Sequence, residues 1–296
     1  MSRFTTLLHG LSFTESPRWR DGRLYFSERY TRSVLAVTPN GDVETVARTE
    51  GLPCGLGFLP DGCLLVISMA ERKILRCEHD GILVEHADLS ALAPGPLNDM
   101  VVGHDGAAWA GNFGFDLFGG APARTTVLIR VGPDGAGSIA ADGLVFPNGT
   151  VLTPDGRTLI VAESMANRLS AFTVLNGTLT DHRTWAAFGP APGTTEVAEI
   201  VSKADVVPDG ICLDAEGKVW VADVAKRRLI RVAEGGTILE ELKTDGQCAF
   251  ACMLGGDDGR TLFACVAPTY DENECAAHYR ASILMTRVEV PHAGLP

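Results

Sequence analysis

No run of apolar residues in this chain approaches the ~18 that would suggest a membrane span. Basic clusters of the kind that mark nucleic-acid or anionic-membrane surfaces are missing as well. The net charge is −12 with a pI near 5.0, and an acidic chain repels phosphate backbones. There is no CxxC pair, which argues against a zinc ribbon or a thioredoxin-type site. The eight cysteines, at 54, 63, 77, 212, 248, 252, 265 and 275, fall mostly in apolar strand-like runs, where a free thiol packs as a small hydrophobe. The N-terminus MSRFTTLLHG lacks the long apolar core of a signal peptide, so a reducing, cytoplasmic location is expected. Long amphipathic helices, low-complexity segments and the GxGxxG, P-loop and HExxH signatures are all absent. The seven histidines include none beside a Ser or Cys in a nucleophile motif, which disfavours Ser-His-Asp chemistry.

What is abundant is turn chemistry. The 33 Gly and 16 Pro are spread along the chain in turn-like positions, which suits many short strands. A short pattern returns six times: TESPRW at 14–19, PCGLGF at 53–58, LNDMVV at 97–102, PNGTVL at 147–152, PDGICL at 208–213 and QCAFAC at 247–252. After each comes a turn (Asp21-Gly22, Asp61-Gly62, Asp105-Gly106, Asp155-Gly156, Glu216-Gly217, Asp258-Gly259) and a β-rich run such as RLYFSE, TLIVAE or KVWVAD. Asp-Gly between two apolar runs is a strong hairpin signal. The second residues of the six patterns are 39, 44, 50, 61 and 39 residues apart, against roughly 40–50 for propeller repeats of four strands per blade. Residues 1–296 are therefore expected to form a single all-β domain, a six-bladed β-propeller with four antiparallel strands per blade. The N-terminal segment should complete the last blade and remove its open edge. The long fourth interval comes from residues 190–207, read as a loop and a lid over one mouth of the channel. Residues 113–124, FGFDLFGGAPAR, form an aromatic, glycine-rich loop expected to line the same mouth.

The second column of the pattern reads Glu15, Cys54, Asn98, Asn148, Asp209 and Cys248. In a propeller the first strand of each blade lines the channel, so residues at one height form a ring. Glu15 and Asp209 would balance a divalent cation, and Asn98 and Asn148 add amide oxygens. Such an all-oxygen set suits a hard ion. Ca²⁺ is the first expectation, with Mg²⁺, Mn²⁺ or Zn²⁺ as alternatives. Any one Asp or Asn here could serve only its own turn, but two unpaired carboxylates on an axis repel without a cation. Cys54 and Cys248 are read as channel packing, with soft ligation the lesser reading. A further column at the ends of the second strands, Glu28, Met69, Asn112, Glu163, Asp223 and Val266, is expected just outside the ring, orienting the ligands. Within it Asn112, beside the aromatic loop, is the candidate for substrate contact.

At these residues the sequence resembles the senescence marker protein 30/gluconolactonase/luciferin-regenerating-enzyme family, the regucalcin-like proteins. The resemblance rests on Glu15-Ser16-Pro17-Arg18-Trp19, Leu97-Asn98-Asp99, Pro147-Asn148-Gly149 with LTPDGRTLIVAES, and Pro208-Asp209-Gly210 with LDAEGKVWVAD. It implies a single axial divalent metal held by Glu15, Asn148 and Asp209, with Asn98 close by as a substrate-binding residue. It also implies a metal-dependent hydrolase that opens a small-molecule lactone; from the two-carboxylate ring itself, Asp209 is the expected catalytic base, a carboxylate within reach of a metal-bound water. No nucleic-acid or membrane partner is expected, and the protein should be a monomer or small homo-oligomer. The alternatives are an esterase or phosphotriesterase on the same site, or a non-catalytic metal- or ligand-binding propeller. One departure stands out: sugar-lactonase relatives of the animal type carry an Arg two residues before the Asn, where this chain has Pro96. Losing that fork of donors argues against gluconolactone itself, and the aromatic loop points to a less polar lactone.

Overall fold

In the computed structural model, which describes residues 3–294, the turn chemistry does what its composition demands. The Asp of most hairpins accepts a hydrogen bond from the backbone N–H two residues on, as Asp61 does from Cys63 at 2.9 Å and Asp155 from Arg157 at 3.0 Å. The following Gly takes the left-handed conformation, with φ of 91° at Gly62 and 69° at Gly156, which costs a glycine nothing. Each hairpin thus reverses the chain, and the strands form six antiparallel sheets of four strands.

Blade 1 runs Thr14–Arg20, Arg23–Glu28, Ser33–Val37 and Val43–Arg48. Blades 2 to 5 repeat this order with inner strands Pro53–Phe58, Leu97–Val102, Pro147–Leu152 and Pro208–Leu213. Blade 6 differs. Cys248–Gly255, Thr261–Ala267 and Ala281–Arg287 supply three strands, and Thr5–Leu11 adds the fourth at the outer edge. The register pairs Thr5 with Met285 and His9 with Ser282. The N-terminal segment therefore closes the ring, as expected.

Burial falls outward within each blade. The inner strand of blade 3 is buried throughout, whereas the outer strand Val43–Arg48 of blade 1 is mostly exposed. Inner strands sit between two neighbouring blades, so both faces are covered and no polar alternation survives. The hydrophobic clusters lie between blades rather than within them: Trp19 of blade 1 stacks on Phe263 of blade 6 with centroids 5.5 Å apart. Glycines after the ring position let inner strands approach. A Cβ on Gly149 would lie 2.5 Å from the Asp209 carbonyl oxygen, and one on Gly210 would lie 2.6 Å from the Ala251 Cα.

Register corrects the sixth repeat. In blades 3, 4 and 5, Leu97, Pro147 and Pro208 pair with the last residue of the second strand, Asn112, Glu163 and Asp223. Their equivalent in blade 6 is Cys248, which pairs with Ala267. Cys248 thus stands one step before the column, and its thiol faces the Pro268 carbonyl at 3.9 Å. By the same pairing, Ser68 and Ala267, rather than Met69 and Val266, belong with Glu28, Asn112, Glu163 and Asp223. The bulge in this strand and its lack of a Pro-x-Gly signal hide the offset from the sequence.

Two short helices interrupt the β pattern. α1, Val197–Lys203, lies inside the insertion at 190–207, where the sequence predicts loop. α2, Glu272–Ala277, follows the second strand of blade 6 and was not anticipated; Asp271 caps it by accepting from the Glu274 N–H at 2.9 Å.

Candidate metal centre

Each inner strand carries a bulge near its start, after its first residue in blades 2 to 5 and after Glu15 in blade 1, beside the second residue of the strand. Glu15, Asn98, Asn148 and Asp209, each from a different blade, line one cavity at the channel mouth and are 4–7% exposed. Two of the few left-handed residues that are not Gly flank this set: Ser16, with φ 49°, after Glu15, and Phe146, with φ 57°, before Pro147. Strain of that kind needs surrounding structure to hold it. Phe146 is held by stacking on Phe113, with centroids 4.6 Å apart and planes 24° apart.

Partners decide which atom each amide presents. Asn148 donates its Nδ2 to Ser164 Oγ at 3.1 Å, and Ser164 donates in turn to the Pro208 carbonyl at 2.7 Å. That leaves the Asn148 Oδ1 for the channel. Asn98 is the reverse. Its Oδ1 accepts from the Cys54 thiol at 3.6 Å, and its Nδ2 has no partner among the described residues. Asn148 therefore offers an acceptor suited to a cation, and Asn98 a donor suited to a substrate oxygen. Burial pushes the Cys54 thiol up to about 12, which favours the protonated form that packs and donates to Asn98.

The carboxylates are the unstable part. Burial, ahead of all other causes, pushes Glu15 up to about 7, with nearby Arg29 pulling it down and Asp99 raising it. Asp209 is raised well above the usual carboxylate range by burial and then by the Glu15 charge. Its Oδ1 has no hydrogen-bond partner among the described residues. A third carboxylate, Asp99, is neutralised by Arg18 at 2.8 Å and accepts from Ser16 Oγ at 2.9 Å. No three His, Cys, Asp or Glu side chains gather among the described residues, so a cation at this mouth needs the amide oxygen as well. Glu15, Asp209 and Asn148 form a hard, oxygen-only donor set with one orphaned carboxylate oxygen, which fits a divalent ion such as Ca²⁺.

A stability test follows from the sign of these shifts. A carboxyl raised from 4.5 to about 7 on folding stabilises the fold below pH 4.5, and that contribution is lost as pH rises to about 7. It amounts to about 3 kcal/mol for Glu15. In chelator, the melting temperature should fall between pH 5 and 7.5, and millimolar Ca²⁺ should restore far more at pH 7.5 than at pH 5. Equal Ca²⁺ effects at both pH values would count against a site between these carboxylates.

The acids and the amide expected just outside the ring do other work. Asn112 is fully buried, donates to the Val127 carbonyl at 2.7 Å and accepts from Thr126 Oγ1 at 2.6 Å. It does not line the mouth, so the structure does not bring this candidate substrate contact to the site. Glu163 accepts from the Val145 N–H at 2.8 Å and pairs with Arg168, while Asp223 accepts from the Val207 N–H at 3.1 Å and pairs with Arg228. Glu28 accepts from the Ser12 N–H. These acids fasten the chain entering each inner strand instead of orienting the ring.

Both loops read from the sequence do meet at this mouth. Phe113, Leu117 and Phe118 line it from one side and Val197 and Val201 of α1 from another, and the Ala123 N–H donates to the Thr195 carbonyl at 2.7 Å. Tyr270, just before α2, adds a third wall. Two further polar residues line the mouth, Ser164 and Arg29, each signalled only by following the Glu that ends a second strand, TLIVAE and RLYFSE.

A family model described as the SMP-30/Gluconolactonase/LRE-like region matches residues 13–267. The 6-deoxy-6-sulfogluconolactonase of Pseudomonas putida is 25% identical over 295 residues, 95% of this chain and 93% of that protein. Regucalcin of Danio rerio is 27% identical over 170 residues, 56% of this chain, and the chain spans about half that relative's length (52%). A solved calcium-binding protein, regucalcin from Agrobacterium tumefaciens, superimposes with a TM-score of 0.78 over 99% of this chain and 97% of that one at 18% identity, a likeness of fold.

Proposed function

The chain belongs to the SMP-30/gluconolactonase/LRE-like family, and from that premise we propose that it is a metal-dependent lactone hydrolase working at this mouth. The observation that carries the reading is the pair of buried carboxylates, Glu15 and Asp209, brought from separate blades to one cavity with an Asp209 oxygen unpartnered. The gluconolactonase relatives supply the reaction class. In this reading Glu15, Asn148 and Asp209 hold one divalent cation, Ca²⁺ before Mg²⁺, Mn²⁺ or Zn²⁺. When bound, the cation polarises the ester carbonyl and makes a nearby water more acidic.

The side chains then divide the work. Asn98 Nδ2 donates to the lactone carbonyl oxygen and strengthens that bond as negative charge develops. Asp209, ionised, accepts a proton from the attacking water through the carboxylate oxygen that does not hold the cation. Collapse of the tetrahedral intermediate breaks the ring C–O bond, and Asp209 returns the proton to the departing alkoxide. The product is an open hydroxy acid. Glu15, beside Arg29, stays ionised and charge-balancing, and Ser164 keeps the Asn148 amide from rotating.

The test is removal and return of the metal. Chelation should abolish acid release from a lactone panel, and one of Ca²⁺, Mg²⁺, Mn²⁺ or Zn²⁺ should restore it. Including an aryl ester and a phosphotriester separates the lactonase reading from its esterase and phosphotriesterase alternatives. Full activity in the chelated protein would sink the metal assignment.

A further inference from the structure

Arg29 follows Glu28 at the end of the second strand of blade 1 and is held by its own N–H donating to the Phe13 carbonyl at 2.9 Å. It is 5% exposed and lines the mouth beside Glu15, Asn98 and Asp209. Its guanidinium lies over the Phe13 ring at 4.6 Å and donates through Nη2 to Cys54 Sγ at 3.5 Å, with Tyr30 alongside. The nearest carboxylate oxygen, Glu15 Oε1, is 3.9 Å away, and Nε has no partner among the described residues. A guanidinium carries five N–H donors; Cys54, the Tyr30 side chain and a distant carboxylate still leave Nε unpaired among the described residues, which is costly unless a ligand completes it.

Charge balance gives that ligand its sign. Arg18 neutralises Asp99. A divalent cation would neutralise Glu15 and Asp209 together, and Arg29 would then face only the carboxylate of Glu272 across the mouth. Apart from Tyr270, the remaining walls are apolar, with Phe113, Phe118, Phe146, Val197, Val201 and Phe250 among them. A polyol ring would leave its hydroxyls without partners there, whereas an alkyl or aryl substituent would be covered.

Resting on the lactonase reading, we propose that Arg29 is the specificity-determining residue of this mouth. It binds the oxygen that becomes the product carboxylate, and the substrates are lactones with an apolar substituent lying against the aromatic wall. Arg29 thus does from blade 1 what no residue at Pro96 can do. Its planar fork matches the two oxygens of a carboxylate.

Three measurements on the Ca²⁺-loaded full chain test this: calorimetric binding of 4-hydroxynonanoate, kinetics with γ-nonalactone against glucono-δ-lactone, and Ca²⁺ affinity. Arg29→Met should weaken 4-hydroxynonanoate binding and raise KM for γ-nonalactone by roughly 10- to 100-fold. Its Ca²⁺ affinity should hold or improve, because a like charge is removed. Arg29→Lys should recover part of the carboxylate binding, since the charge returns without the fork. Unchanged hydroxy-acid affinity in Arg29→Met, or a wild-type preference for glucono-δ-lactone, overturns the inference. If Arg29→Met fails to fold, the Arg29→Lys affinity decides alone, and wild-type affinity there also overturns it. Should the wild type bind 4-hydroxynonanoate through Arg29 yet open no lactone, the lactonase reading fails while the assignment of Arg29 to an apolar carboxylate stands.

Discussion

Asp209→Asn should reduce lactone opening by roughly 1,000-fold, because it removes a proton acceptor and a charged ligand at once. The substitution is isosteric and keeps the buried strand Pro208–Leu213 intact. Ca²⁺ affinity should fall by at least roughly 100-fold, since even the outer partners of metal ligands cost that much. Stability should move the other way. Asp209 is a buried carboxylate repelled by Glu15, and a neutral amide relieves that repulsion, so the chelated variant should melt above the chelated wild type at pH 7.5. Loss of activity with a gain in apo stability is the mark of a residue kept for chemistry. A structural Asp would show both losses, and activity within tenfold of wild type would remove Asp209 from the mechanism.

Deletion of residues 1–11 should do the most damage to the fold. The strand Thr5–Leu11 is the outer strand of blade 6, and Leu7, Leu8 and Leu11 pack against the cluster that holds Trp19, Phe263 and Ile283. Without it, Ala281–Arg287 becomes an open edge that templates aggregation. The lost apolar burial corresponds to a drop on the order of 10 °C in melting temperature. Thermal melts and sedimentation of the soluble fraction measure both effects. A deletion variant that is monodisperse and melts with the wild type would show that the first strand is dispensable.

Both predictions concern features legible before any coordinates. Blade number, the four-strand unit and N-terminal closure followed from repeated turn chemistry, because a Pro-x-Gly or Asp-Gly dipeptide dictates local backbone whatever surrounds it. The ring residues Glu15, Asn98, Asn148 and Asp209 were legible for the same reason: each sits at a fixed offset from a turn. What failed had no such marker. Cys248 was misplaced by one residue because its strand carries a bulge but no glycine signal. Asn112 sits at the right height, yet its amide is satisfied inside its own blade by Val127 and Thr126, and hydrogen-bond partners are invisible in a repeat alignment. Arg29 reaches the mouth from the position just after the second strand, as Phe113, Ser164 and Val224 do in their blades, and nothing in the repeat alignment marks that position as facing the channel. The helix in residues 190–207 is seven residues long, too short to announce itself by periodicity.

No blade contributes more than one of the four ring residues Glu15, Asn98, Asn148 and Asp209, and each of them lies on its own inner strand. The site is therefore adjustable one component at a time. Exchanging the oxygen donor in one blade changes charge or reach there while leaving the backbone of the other donors where it was. Such an architecture lends itself to redesign by single replacement, with Asn98 the natural place to change what is bound and Glu15 the place to change which ion is held.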